Sequence, residues 1–415
     1  MTGQTIVILG GGVGGLVAAN ELRRLLPPHH RVVLVEKDLR HAFAPSLLWV
    51  MVGDRRPEQV VRDLRTLARR GVEVLEAEVS GLDLAGGRVE TTRGPVSYDY
   101  LVVALGAELA PEALPGLAEA AHTFYTWEGS VRLRDALRAF PETGGHIAVV
   151  VTALPYKCPG APHEGAMLIA DYFRRRRLAD KVEVHLYTPE PQPMPVGGPV
   201  LGEAVKEMLR ARGVMFHPLH KITAVDGSAR ELCFEGQPPA RFDLLAAIPP
   251  HRSSRVVREA GLAGETVWVP VDPKTLATRH ERVYAIGDVT AIPLLGRWKA
   301  DVPLMLPKAG VFAHAQAEIV ARRIAAQITG TAAVREFGGH GYCMLEAGES
   351  IAGFAFGDFF GEPSPRVELR RLGRAWHWGK VLFEQWWLAS PGPRRETLRV
   401  ALSLGARWLG VPLVA

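Results

Sequence analysis

Thr5-Ile6-Val7-Ile8-Leu9-Gly10-Gly11-Gly12-Val13-Gly14-Gly15 is the stretch that decides how this chain folds. A short apolar, β-branched run breaks into a glycine turn, after which Leu16, Ala19, Leu22 and Leu26 recur at helical spacing. Arg31-Val32-Val33-Leu34-Val35 reads as a second strand and ends in Glu36. Gly10, Gly12 and Gly15 thus satisfy G-x-G-x-x-G between a strand and a helix, with an acid about 20 residues further on. The first glycine makes the turn, the second lets the backbone approach a pyrophosphate, and the third lets helix and strand pack closely. The helix N-terminus offers unpaired amides to phosphate, and Glu36 can accept hydrogen bonds from a ribose diol. A dinucleotide is expected at this turn.

Two later segments bear on which dinucleotide. Tyr98-Asp99-Tyr100-Leu101-Val102-Val103-Ala104-Leu105-Gly106-Ala107 resembles the strand that closes the adenine-binding domain of two-dinucleotide flavoproteins. Arg282-Val283-Tyr284-Ala285-Ile286-Gly287-Asp288-Val289 resembles the strand whose terminal aspartate holds the flavin's ribityl chain in that superfamily. The chain then leaves the first domain near residue 110 and returns near 270, which a single NAD-binding domain has no reason to do. The resemblance implies FAD, bound through Gly10, Gly12, Gly15, Glu36, Gly106, Gly287 and Asp288.

His146-Ile147-Ala148-Val149-Val150-Val151 opens a second Rossmann unit, where NADH-using relatives place another glycine-rich turn. This chain reads Thr152-Ala153-Leu154-Pro155-Tyr156-Lys157-Cys158-Pro159-Gly160-Ala161-Pro162 instead. Three prolines remove amide donors and stiffen the loop, and a cysteine sits where phosphate needs bare backbone. The unit is expected to keep its fold without a nicotinamide phosphate site. Ala166, Met167, Ile169, Ala170 and Phe173 continue as a helix, and Arg174 to Arg177 read as its solvated end. Lys181 to Tyr187 fits the next strand. Leu232 to Glu235 and Asp243 to Ile248 are expected to complete a small sheet.

Cys158 lies beyond the end of a parallel strand, the edge where ligands of open α/β sheets gather. Cys343 lies in Gly338-Gly339-His340-Gly341-Tyr342-Cys343-Met344-Leu345-Glu346, entering a later strand. Cys233, within a short strand of alternating character, reads as an inert small hydrophobe. No C-x-x-C or C-x-x-x-x-C dithiol is present. A thiolate attacks and a thiol scarcely does, so a reactive cysteine needs a local base or positive field. Glu164, six residues past Cys158, is either that proton acceptor or a favourable anion on a helix N-terminus.

With 415 residues, 47% apolar and 22% charged, the chain has room for two or three cored domains and the composition of an ordinary globular protein. The net charge of +5 suits an anionic cofactor or an acidic membrane surface; no nucleic-acid partner is expected. Three cysteines make no disulfide framework. No secretory leader is legible, and no apolar run approaches the ~20 residues that span a bilayer. The expectation is a peripheral protein on the cytoplasmic side of the cell membrane.

Across most of its length the chain resembles the sulfide:quinone oxidoreductases. Tyr156-Lys157-Cys158-Pro159-Gly160-Ala161-Pro162-His163-Glu164 is similar to that family's first active-site cysteine segment, and Gly341-Tyr342-Cys343 to the second. Leu306-Pro307-Lys308-Ala309-Gly310 resembles the segment packing on the isoalloxazine. Gly379-Lys380-Val381-Leu382-Phe383-Glu384 resembles the quinone-side segment. The resemblance implies an α/β protein of the FAD/NAD(P)-linked disulfide reductase type, with two Rossmann-like three-layer domains and a C-terminal membrane-facing segment. The FAD domain would comprise 1–115 and 270–330, the second domain 116–269, and the active-site and membrane region 331–415. It implies sulfide captured at Cys158 and Cys343, with Glu164 the family segment's acid six residues past the first cysteine, and a quinone (ubiquinone or menaquinone) reduced near Phe383, Lys380 and Met344. Sulfane sulfur would leave as polysulfide or pass to an acceptor. Lys308 joins the flavin residues. Relatives with a third cysteine carry it about 30 residues before the first; His122-Thr123-Phe124-Tyr125-Thr126-Trp127 has none. No cysteine near residues 40–48 could link the flavin covalently, so FAD is expected to be non-covalent.

Phe383, Trp386, Trp387 and Leu388 cluster on one side of a helical reading. Leu398, Ala401, Leu402, Gly405, Trp408 and Leu409 recur further on among Arg394, Arg395, Arg399 and Arg407. Basic residues opposite a Trp/Leu face describe an interfacial helix; a helix packed on its own protein or a partner subunit is the competing reading. Homo-oligomerisation is left open. Two other functions compete: a type II NADH:quinone dehydrogenase, against which the prolines and Cys158 argue, and a flavoprotein subunit carrying electrons from sulfur to a protein partner.

Overall fold

The computed structural model describes residues 3–299, 302–331, 335–390 and 392–411. Strand β1 (Thr5–Leu9) runs through the glycine turn into helix α1 (Val13–Leu25), and the chain returns as β2 (Arg31–Glu36). With β3 (Glu73–Glu76), β4 (Tyr100–Val103) and the distant strand Val283–Ala285 they form a parallel five-stranded sheet, ordered Val283–Ala285, β4, β1, β2, β3. Both faces are covered, which is why these strands read as unbroken apolar runs. Ile6 and Ile8 pack on one face with Leu16, Ala19 and Leu22 of α1, while Val7 and Leu9 pack on the other with Val256 and Val257.

The glycine turn is shaped by contact. A Cβ on Gly15 would lie 1.8 Å from the Gly10 carbonyl oxygen, so α1 rests on the turn with no space between. Gly10 adopts φ +97°, and a Cβ there would sit 2.5 Å from the Ala104 oxygen. Above Gly12, by contrast, a Cβ would meet nothing within 4 Å.

The second sheet is also parallel. β5 (Gly145–Val151) leads through the Cys158 loop into α2 (Ala161–Arg175), followed by β6 (Val182–Tyr187), β7 (Val214–His217) and β8 (Leu244–Ile248), in the order β7, β6, β5, β8. The expectation that Leu232 to Glu235 and Asp243 to Ile248 share one small sheet is corrected. β8 pairs with β5 inside the parallel sheet, while Glu231–Phe234 belongs to a separate antiparallel meander with Ile222–Asp226 and Gln237–Arg241. The fully apolar Leu244–Ile248 fits a two-sided burial; the alternating Glu231–Phe234 fits a half-covered sheet. Arg174 and Arg175 do lie at the end of α2, ion-paired with Asp171, Asp54 and Glu349.

Helix α3 (Gly310–Thr329) packs along α1, and an antiparallel sheet of β9 (His340–Glu346), β10 (Ala352–Asp358) and β11 (Arg366–Gly373) follows. Helices α4 (Arg374–Leu388) and α5 (Pro393–Leu409) close the described chain. The membrane reading of α4 needs correction. Trp386 and Trp387 are buried in the core of the first unit, and the Trp387 Nε1 donates to His41 Nε2 at 2.8 Å. On α5, Leu398, Leu402 and Leu409 turn toward the protein, leaving Leu404 (59% exposed) and Trp408 (84%) outward, as is Trp378 (61%) on α4. Among the described residues no helix is long and apolar enough to cross a membrane.

Gly15→Ala must push α1 off the turn, so the substitution is expected to cost roughly 2–3 kcal/mol and to lower the thermal midpoint. Calorimetry of the purified variant checks this; an unchanged midpoint contradicts the packing described.

Candidate functional site

Cys158 leaves β5 through a loop that is anchored at several points. Its amide donates to the Lys308 carbonyl at 2.6 Å, and its own carbonyl accepts from the Ala161 amide (2.9 Å) and the Tyr125 hydroxyl (3.3 Å). These bonds hold it at φ +56°, a left-handed conformation that is costly for a residue with a Cβ. Cys343 comes from β9, where the pleat decides its direction. Cys343 and Leu345 face the core of the second unit, while Tyr342 and Met344 face the opposite side, against Phe354 and Trp376. Both cysteines line one apolar cavity of about 440 Å³, together with Tyr156, Glu190, Lys308 and Phe312. A Cβ on Gly160 would lie 2.6 Å from Leu345 Cδ2, 3.4 Å from Cys343 Sγ and 3.5 Å from Glu164 Oε2. The glycine lets the Cys158 segment, the Cys343 sulfur and the Glu164 carboxylate converge.

Glu164, in the first turn of α2, is buried, and its Oε1 accepts from Lys380 Nζ at 2.7 Å and from the Glu346 amide at 3.0 Å. Oε1 is therefore supplied with donors, and Oε2 is the atom turned toward the cysteine side. Lys380, on α4, also reaches the Met344 carbonyl (3.4 Å) and lies 5.2 Å from the Trp49 ring centroid. Burial alone would lower the Lys380 pKa, but the Glu164 and Glu346 carboxylates outweigh it and hold the ammonium above its ordinary value. The thiols feel the opposite balance. Burial, reinforced by Glu164, pushes Cys158 up to about 12 and Cys343 well above the usual thiol range, while Lys380 pulls both back. Lys380 is thus the cation that favours thiolate, and Glu164 the anion that opposes it.

The first unit carries the features that FAD requires. The space above Gly12 is open to a pyrophosphate, and Glu36 stands at the end of β2 with Oε2 accepting from the Gly11 amide (2.5 Å) and Oε1 from the Asp38 amide (3.0 Å). Gly106 and Gly287 both have positive φ, +65° and +73°. Next to Gly287, Asp288 carries a buried Oδ1 with no hydrogen-bond partner, and burial pushes its carboxyl up. An acceptor in that state matches a ribityl hydroxyl. Lys308 Nζ donates to the Asp288 and Thr290 carbonyls (2.8 and 2.9 Å) and sits 3.5 Å over the Trp268 ring; burial brings it down to about 8. These residues fit FAD.

The three residues read as quinone-facing turn to different neighbours, although Lys380 Nζ reaches the Met344 carbonyl at 3.4 Å. Lys380 is engaged by Glu164, the Met344 side chain lies behind β9 from Cys343, and the Phe383 ring packs 5.9 Å from Phe43 and 6.2 Å from Trp387. Sequence reasoning missed several neighbours of the cysteines. Tyr156 donates to the buried Glu190 at 2.9 Å, and burial pushes Glu190 up to about 7. Glu346, also buried, pairs with His377 at 2.9 Å. An acid closing the otherwise apolar end of Tyr342-Cys343-Met344-Leu345-Glu346 was the available signal; Glu190, among loop residues, offered none.

Two parallel dinucleotide-type sheets with a cysteine loop in place of the second glycine turn define a flavoprotein of the disulfide-reductase class. The pyridine nucleotide-disulphide oxidoreductase family matches residues 4–317, and the chain belongs to it. Among curated relatives, it is 28% identical to the mitochondrial sulfide:quinone oxidoreductase of Dictyostelium discoideum over 69% of this chain and 66% of that protein. It is 26% identical to the sulfide-quinone reductase of Aquifex aeolicus over 92% of this chain and 90% of that one. The solved structure of the Aquifex aeolicus sulfide:quinone oxidoreductase superposes with a TM-score of 0.84 at 24% identity, covering 96% of this chain and 95% of the other.

Because Glu164 raises both thiols, Glu164→Gln is expected to lower their pKa values and move the pH profile of thiol alkylation to lower pH. Lys380→Met is expected to move it the other way and, by leaving a buried carboxylate unpaired, to cost roughly 3–5 kcal/mol. Iodoacetamide kinetics followed into the alkaline range where these raised thiols ionise, combined with thermal melts, check both directions.

Proposed function

We propose that this FAD-dependent enzyme oxidises sulfide at Cys158 and Cys343 and passes the electrons to a membrane quinone. The observation that carries the reading is the convergence of the two cysteines on one apolar cavity beside the Glu164–Lys380 pair, at the strand end where an NADH-using unit needs a glycine turn. The names of the relatives support it.

In the proposed reaction, hydrosulfide attacks one sulfur of the oxidised cysteine pair, leaving a persulfide on that residue and a thiolate on the other. Lys380 favours the thiolate as charge develops. The apolar cavity wall keeps water from the sulfane sulfur, and Gly160 leaves space beside Cys343 Sγ. Two electrons leave each sulfide, and each quinone accepts two electrons and two protons. When bound, FAD supplies the two-electron relay between these half-reactions. Gly12 and the amides at the start of α1 would hold its pyrophosphate, Glu36 its ribose, Asp288 its ribityl chain, and Lys308 the segment against the ring. Phe383 and Lys380 lie one helical turn apart on α4, the element through which we place the quinone side; Met344 joins it through its carbonyl bond to Lys380.

For the membrane, the supporting surface is smaller than the sequence suggested: Trp378, Leu404 and Trp408 project outward beside the exposed Arg394, Arg399 and Arg407. Such a Trp/Leu face with basic neighbours suits an interfacial contact.

Cys158→Ser and Cys343→Ser are each expected to retain FAD and lose sulfide-driven quinone reduction by on the order of 100-fold or more. Under anaerobic conditions sulfide, and not NADH, is expected to bleach the flavin of the wild-type protein; bleaching by NADH alone sinks the proposal. Leu404→Glu with Trp408→Glu is expected to weaken sedimentation with anionic lipid vesicles by about tenfold or more, leaving FAD content intact.

A further inference from the structure

At the opposite end of the second sheet from the Cys158 loop, three side chains of metal-ligating type meet. His146, near the start of β5, stands in register with Glu183 of β6; His185 follows two residues on, on the same face as Glu183. Among the described residues this group brings one ligand atom from each member within 4.8 Å of the others. Glu183 Oε2 lies 3.1 Å from His146 Nδ1 and 3.3 Å from His185 Nε2. Ligands at 2.0–2.1 Å from a tetrahedral zinc ion stand roughly 3.3–3.4 Å apart, so two edges of the coordination shell are nearly in place.

His185 is also held from behind by its neighbours. The other ring nitrogen of His185, Nδ1, lies 3.0 Å from His217 Nε2, and the two rings stack at 5.2 Å with 11° between planes. His217 is in turn stacked on Tyr187 at 4.4 Å. A histidine that binds metal through Nε2 keeps its proton on Nδ1 and donates it to a neighbour, which fixes the ring's orientation. The column of His185, His217 and Tyr187 provides that neighbour and that orientation. His146 and Glu183 are exposed, so an ion can enter from solvent and keep a water as fourth ligand.

We propose that His146, Glu183 and His185 form a binding site for a zinc-class divalent cation, separate from the flavin and cysteine site. Nitrogen and carboxylate donors in this number suit Zn²⁺ over Mg²⁺ or Ca²⁺, which take oxygen ligands. Bound there, the ion ties the N-terminal half of β5 to that of β6.

The test uses the FAD-bound Cys158→Ser/Cys343→Ser protein, so that active-site thiols do not compete for metal. Equilibrium dialysis with Zn²⁺ is expected to show one tight equivalent. Adding His185→Ala or Glu183→Gln is expected to weaken that equivalent tenfold or more, with circular dichroism and FAD content unchanged. Glu183→Gln, at an exposed position, keeps the test valid if His185→Ala misfolds. Zinc binding that is equal in parent and variants, or no tight equivalent in the parent, overturns the site.

Discussion

The Glu164–Lys380 ion pair is the interaction on which the rest of the arrangement depends. Glu164 belongs to the second unit and Lys380 to a C-terminal helix, and the Glu346 amide and Met344 carbonyl of β9 bind the same two groups. One buried contact thus joins three parts of the chain that are far apart in sequence. Removing either partner of such a pair strands a charge in an apolar interior, at a cost of roughly 3–5 kcal/mol. The pair also lies where both thiols feel its two charges with opposite sign. Stability and thiol chemistry are set by the same atoms.

Helix α4 shows how the assembly is held. Lys380, Glu384 and Trp387 recur at i, i+4 and i+7, and all are buried. Lys380 binds Glu164; Glu384 accepts from Ser46 Oγ and Arg55; Trp387 binds His41. A single helical stripe therefore grips the second unit at one end and the first at the other. Two of its three members are charged, which departs from the usual apolar stripe of a core-facing helix.

That departure explains where sequence reasoning succeeded and where it did not. The first unit was legible from Gly10, Gly12, Gly15 and Glu36 because each answers a local demand of turn, close approach or strand end. That Cys158 and Glu164 stand near each other was legible because they flank one helix start. The bond from Lys380 to Glu164 was not legible, since the two stand 216 residues apart and no local pattern records it. Trp386 and Trp387 were assigned to a membrane face because amphipathic periodicity gives a direction around the helix without saying what covers it. The Met344 side chain turns away from Cys343 by a single step of the strand pleat, which sends neighbours to opposite faces.

The strand Val283–Ala285 completes the first sheet beside β4, although roughly 180 residues separate the two along the chain, time enough at ribosomal rates for on the order of 10–40 s of synthesis. Through that interval the N-terminal unit carries an open parallel edge at Leu101 to Val103, while the inserted second unit already has all four of its strands. Biogenesis therefore runs out of order. The inserted unit can mature first, and the nucleotide-binding unit closes only when its last strand leaves the ribosome, so an exposed edge that invites wrong pairing has to be protected during translation.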